Sequence, residues 1–227
     1  MTAYKTPGVY VEEIVKFPPS VAQVETAIPA FIGNTELLKE GAEILVPKRI
    51  VSMVEYENYF GISRLESFEV KVTVTKQNSV ITNIETVLNA GVPTNDKLIP
   101  KNLMYYAIQL YFANGGGPCY IVSTGTQAEN GAVVKAEIKK GVEVLEEYDE
   151  ITLIVCPDAT KLSGPDYKAS FSDPALKQCL KLQDRFGVFD VIGAHTKTTA
   201  SGAISGFRTN SSSIKNEIKY GAQLFTF

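Results

Sequence analysis

Apolar and polar positions follow two different periods along this chain, and the change between them divides it. Phe68, Val70, Val72 and Val74 alternate with Glu69, Lys71, Thr73 and Thr75. That period of two belongs to a half-exposed strand. Lys76-Gln77-Asn78 predicts a turn, and Ser79 to Val87 predicts a return strand. Residues 65 to about 99 therefore read as an inserted hairpin with one wet face, and Pro93 to Pro100 leads back to the main body.

On either side of this insert, short apolar runs alternate with helix-period segments. Residues 26–33, TAIPAFIG, predict a buried strand, with Pro29 favouring its start or an edge position. Residues 48–61 read as a strand and then a helix from Ser52 to Phe60. Ser52 is its N-cap and Glu55, three positions on, completes a capping box. Asn102 to Ala113 is apolar nearly all round, which predicts a buried helix that ends at Asn114-Gly115-Gly116-Gly117-Pro118. Cys119 to Ser123 predicts a strand. Ala128 to about Tyr148 predicts a helical stretch, with an interruption at Gly141. Ile151 to Cys156 is a continuous apolar strand. Asp173 is read as the cap of a helix from Pro174 to Phe186, ended by Gly187. Val188 to Ile192 and Tyr220 to Phe227 predict the last two strands. This alternation implies an α/β layered sheet with helices on both faces. The chain stops on the apolar Leu224-Phe225-Thr226-Phe227, which suggests a shortened chain.

Residues 1–22 differ from the rest. Pro7 and Gly8 form a turn signal, Val9, Tyr10 and Val11 a short β run, and Glu12, Glu13 and Ile14 follow before Pro18-Pro19. A lone strand of this length cannot fold unaided. It reads either as an edge strand of its own domain or as an arm that adds to a neighbour's sheet. The division expected is an extended arm over 1–22 and an α/β core over 23–227 carrying the 65–99 insert.

Composition adds exclusions. The net charge is -3, with acids and bases interspersed, so no basic nucleic-acid footprint or polybasic membrane anchor is visible. No apolar run reaches the length of a membrane span, and MTAYKTPGVYVEEI lacks the apolar stretch of a signal peptide. Cys119, Cys156 and Cys179 show no metal spacing and no disulfide pattern, and read as reduced, buried thiols. Enzyme chemistry has few candidates. His195 is the sole histidine, and Cys156 and Asp158 lie beside it in type, near strand ends where α/β sheets place functional groups. A Cys-His or His-Asp pair is imaginable, but Cys156 lies inside an apolar run. Gly115-Gly116-Gly117 follows a helix and precedes a strand, the reverse of a phosphate loop. No catalytic residue, cofactor or metal site is expected.

The stretch Tyr4 to Ile14, YKTPGVYVEEI, resembles the N-terminal signature of contractile tail sheath proteins. TAIPAFIG resembles that family's first core strand, and Val54 to Gly61 (VEYENYFG) its helix before the variable insertion. Leu103 to Ser123, with NGGGPCYIVS, resembles its buried helix, glycine turn and strand. Ile151 to Asp158 (ITLIVCPD), Phe207-Arg208 and Tyr220-Gly221-Ala222 continue the likeness in the family's order. The resemblance implies a structural subunit, not an enzyme, that polymerises helically around an inner tube and contracts to drive it through a target membrane. It implies neighbouring sheath subunits, inner tube and baseplate proteins as partners, without nucleic acid or direct membrane insertion. It further implies synthesis in the bacterial cytoplasm and incorporation into a tail or injection particle. The arm over Pro7 to Ile14 would exchange strands between subunits, and the second arm and tube-facing surface of longer family members fall beyond Phe227. An α/β hydrolase-like enzyme or an adaptor binding through the hairpin are the alternatives. Among machines, FPPSVAQVETAIPAFIG looks closer to injection-system sheaths than to phage tails or tailocins.

Overall fold

The computed structural model describes residues 27–64, 70–88, 100–128, 130–192 and 218–224. In chain order the elements are β1 (Pro29–Thr35), β2 (Lys48–Ile50), α1 (Met53–Phe60), β3 (Val70–Gln77), β4 (Val80–Leu88), α2 (Leu103–Ala113), β5 (Cys119–Thr126), α3 (Lys135–Glu143), β6 (Leu153–Val155), α4 (Gly164–Tyr167), α5 (Asp173–Leu182), β7 (Phe186–Asp190) and β8 (Gly221–Leu224). Short 3-10 turns at Val144–Glu147, Pro157–Lys161 and Ile218–Tyr220 link them. The main sheet has six strands in the order β2-β5-β1-β6-β7-β8. All pairs are parallel except β2 with β5. The expected layered α/β sheet with a separate hairpin is thus present; the N-terminal arm lies outside the described residues.

Alternation along the strands builds two cores. Ala30, Ile32, Tyr120, Val122 and Ile154 face α3 and α5, where Ile138, Val142, Phe171, Ala175 and Cys179 cover them. Phe31, Ile50, Cys119 and Ile121 face the other way, onto Tyr56 and Phe60 of α1 and Met104 and Ile108 of α2. β1 is central and buried at every position, which matches its unbroken apolar run. Pro29 opens the strand, as its missing N–H allows.

The ends of the elements follow local chemistry. The Ser52 side chain accepts from the Glu55 N–H, as the capping box requires. Glu55 in return takes the N–H of Val51, one residue before the cap, at 2.8 Å. Three expectations need correction. The helix assigned to Pro174–Phe186 starts a full segment earlier, at Gly164, with Ser163 as its cap. Asp173 has helical angles (φ -66, ψ -46), so it caps nothing. Pro174 cannot donate to the carbonyl one turn back, and the backbone widens into a π turn at Lys168–Ser172 just before it. That helix ends at Leu182, where Gln183 turns left-handed (φ 60), and β7 begins at Phe186. Secondly, α3 runs unbroken through Gly141. The glycine is a point of close approach: a Cβ there would lie 2.7 Å from Ile32 Cγ2. Thirdly, α2 is not buried all round, for Tyr106 and Leu110 are exposed.

The hairpin also departs from expectation. Its turn is centred on Asn78 and Ser79, with φ 51 and φ 66, the two left-handed residues that a tight two-residue hairpin turn demands. Every β3 side chain is exposed, on both faces, where one covered face was expected. The strands pair from Val70 with Leu88 to Gln77 with Val80, with a register shift between Thr75 and Lys76.

Candidate functional site

Open α/β sheets bind ligands beyond the strand C-termini, where neighbouring strands send the chain to opposite faces. Here the chain leaves β1 for the α1/α2 side and leaves β5 and β6 for the α3/α5 side, so this crevice lies at the end of β1. Its chemistry is set by Asp158, whose side chain is 1% exposed. From the sequence Asp158 is only half of an imaginable His-Asp pair, and no catalytic residue is expected. The Asp158 carboxylate binds the protein's own backbone. Oδ2 accepts the N–H of Asn34, at the end of β1, at 2.9 Å. Oδ1 accepts the N–H of Leu103, the first residue of α2, at 3.1 Å. Lys161 Nζ lies 3.2 Å from the same oxygen and also donates to the carbonyl of Lys101.

A helix N-terminus is an anion site because its first N–H groups lack partners and its dipole is positive there. Asn102, the N-cap of α2, makes no side-chain cap bond. Asp158 takes that role from across the sheet, and so occupies the place where a ligand's anion would sit. The fit is close: a Cβ on Gly33 would meet Asp158 Oδ2 at 2.7 Å and Met104 Sδ at 3.1 Å.

The rest of the crevice is filled in the same way, except that the buried Gln127 Nε2 has no partner among the described residues. Asn34 Nδ2 donates to the Ala132 carbonyl at 3.1 Å, and Thr124 donates to Asn34 Oδ1 at 2.7 Å. The hydroxyls of Thr35 and Ser123 lie 2.7 Å apart. Gln127 donates its N–H to the Thr35 carbonyl at 2.8 Å, and its Oε1 accepts the N–H of Arg64 at 2.9 Å. Both roots of the 65–99 insert are thereby tied to the crevice, through Arg64 on one side and Lys101 and Leu103 on the other. The sequence reading did not single out Asn34, Thr124, Gln127 or Lys161. Their signal was a polar residue directly after each apolar strand run.

The remaining sequence candidates do not assemble into a reactive group among the described residues. Cys156 is buried, and burial, with the Asp158 charge adding to it, pushes its thiol well above the ordinary range. A thiol held protonated is a poor nucleophile. Burial likewise lifts Cys119 and Cys179 to about 12 each. His195 and the arm residues Pro7 to Ile14 lie outside the described residues. At the next strand end Asp190 has a raised pKa, caused by burial, and its N–H donates to the Tyr167 hydroxyl at 3.0 Å. A groove of about 510 Å³ between α3 and α5 holds two ion pairs, Lys139 with Glu143 at 3.8 Å and Lys181 with Glu146. Among the described residues no group of three His, Cys, Asp or Glu side chains could hold a metal, and no helix is long and apolar enough to cross a membrane.

A layered α/β domain with a self-filled crevice and a mounted hairpin is the class that the geometry defines. No protein-family model and no curated protein matches the sequence. Solved structures do match. A chain of the anti-feeding prophage (AFP) baseplate in its contracted state superposes on 97% of this chain and 47% of its own, with TM-score 0.52 and 17% identity. A chain of the AFP helical sheath in its contracted state covers 89% of this chain and 43% of its own (TM-score 0.41, 23% identity). A chain of an extracellular contractile injection system, the PVC sheath complex in its contracted state, covers 98% and 44% (TM-score 0.47, 22% identity). This chain spans about half the length of the chains it matches. Its fold is thus shared along nearly its whole length with the AFP baseplate chain.

Proposed function

We propose that this chain is a structural subunit of a contractile sheath, or of the baseplate collar that continues one, in a phage-tail-like injection particle. The observation that carries the proposal is the fold shared over 97% of the chain with a contractile-injection baseplate component. The crevice supports it from the other direction. Among the described residues the site spends its buried Asp158 carboxylate and its helix N-terminus on each other.

In this reading the subunits polymerise around an inner tube, the sheath shortens, and the tube is driven through a target membrane. Neighbouring subunits, the tube and the baseplate are the partners, and the assembled particle is the place of action. The arm over Pro7–Ile14 adds as a strand to an adjacent subunit, since a short β run bounded by Pro-Gly and Pro-Pro needs a sheet and an assembly of identical subunits offers one. An extracellular injection system fits better than a phage tail. The test is particle yield in the source cell. Deleting residues 7–14 is expected to abolish intact particles, while Cys156→Ala and His195→Ala leave them assembled and active. Loss of activity in normally assembled Cys156→Ala or His195→Ala particles would favour the enzyme reading instead.

A further inference from the structure

The two faces of the main sheet are covered to different extents. On the α3/α5 face the core runs from Tyr120 on β5 to Phe189 on β7. On the opposite face α1 and α2 cover β2, β5 and β1, and that core reaches β6 only at Val155. Beyond it Leu153 stands beside Phe186, and Val155 beside Val188 and Ala222. These residues alternate with Ile154 and Phe189, which point into the α3/α5 core, so they face the other way. Leu153, Phe186 and Val188 are half-buried and belong to neither core, and Ala222 is exposed. Parallel strands are buried on both faces, so this patch calls for a cover.

We infer that residues 15–26 of the same chain run across β6 and β7 on this face and cover the patch. Topology selects the segment. The connection from β7 to β8 has both described ends, Ile192 and Tyr220, against the α3/α5 core. A crossover of the same hand as β6-α5-β7, the rule for parallel strands, keeps it on that face. The insert returns to α2 at the C-terminal end of β1, where Asp158 and Lys161 hold its root. Leu153 and Phe186 open their strands, so they lie at the opposite end of the sheet. The chain before β1 enters at that end and beside β6: the Ile28 N–H donates to Thr152 Oγ1 at 2.9 Å, and the Ile28 carbonyl accepts the Thr152 N–H at 3.0 Å. Length permits the path. From β1 to β8 is three strand spacings, about 14 Å, and residues 15–26 reach up to about 40 Å when extended. Composition suits it. Val15, Phe17, Val21 and Val24 supply apolar side chains, one lysine and one glutamate cancel, and Pro18-Pro19 brings no N–H to be buried. The placement holds whether or not the chain builds a particle, and it makes the Pro7–Ile14 arm depart from the β8 side of the sheet.

The test is disulfide formation in the purified full chain, whose native thiols are buried. Val21→Cys is paired with Val188→Cys on the patch or, as a control, with Val54→Cys, which is 66% exposed on α1. The Val188 pair is expected to close within one chain, about tenfold more than the control and equally at every protein concentration, because a docked segment has a high effective concentration at its own site. In a chain carrying Val188→Cys alone, adding Phe17→Asp and Val21→Asp is expected to speed maleimide labelling about tenfold. A disulfide that forms only between chains assigns the cover to a neighbouring copy and overturns the inference. Equal yield from the two pairs, no disulfide, or labelling unchanged by the aspartates overturns it as well, since residues 15–26 then lie elsewhere.

Discussion

The crevice above β1 and the hairpin β3–β4 use the same kinds of residue to opposite ends. In the crevice, polar groups are buried and meet one another: Asp158, Asn34, Thr124 and Gln127 join two strand ends, a helix start and the roots of the insert. In the hairpin, valines and isoleucines are half-exposed along their shared ladder. Buried polar groups are costly unless satisfied; Asp158 and Asn34 are satisfied and make the joint, while Gln127 Nε2 is buried without a partner among the described residues. Exposed aliphatic groups are costly until covered, so the hairpin contributes little to the stability of the described fold. The difference teaches where a domain of this type holds its shape and where it does not.

The contrast breaks most clearly at Asp158. Asp158→Ala leaves Lys161 and the N–H groups of Asn34 and Leu103 without their partner, and a loss of about 3–5 kcal/mol in urea unfolding is expected. Formate or acetate should restore part of it in the variant and none in the wild type, since the vacated space sits at a helix N-terminus. Gly33→Ala forces a methyl group onto Asp158 and Met104 and is expected to cost about 1–3 kcal/mol by the same measurement. A smaller effect is expected at Asp190. Burial raises its folded pKa above the unfolded value of about 3.9. Between those two values the native state holds more protons, so stability falls as pH rises through that window and stays lowered above it. Asp190→Asn should flatten that slope in a pH series of thermal melts and melt slightly higher than wild type at neutral pH. The smallest effect belongs to the hairpin: Val74→Thr, exposed and unpacked in the monomer, should change unfolding by less than about 0.5 kcal/mol.

Much of the sheet was legible because each signal was local. The apolar run before Gly33, the Ser52-Glu55 box and the period of two from Phe68 all act within a few residues of themselves. The helix start at Gly164 was hidden because Asp173-Pro174 has the composition of a helix cap, and only the π turn before it reconciles that proline with a helix interior. The continuity of α3 through Gly141 was hidden for a related reason: the glycine answers to Ile32 on a distant strand, not to its own helix. Asp158 was noticed as a carboxylate at a strand end, but its structural role was not legible. Its partners Asn34 and Leu103 lie 124 and 55 residues away, a distance over which sequence pattern carries no information.

The role in a contractile particle is tested most directly by electron microscopy of particles purified from source cells whose chain carries a compact surface tag in the hairpin turn at Asn78-Ser79. Tag density repeating with the helical or ring symmetry of a sheath or baseplate is the expected result. Particles without tag density, with the tagged chain recovered only as free protein, would contradict it.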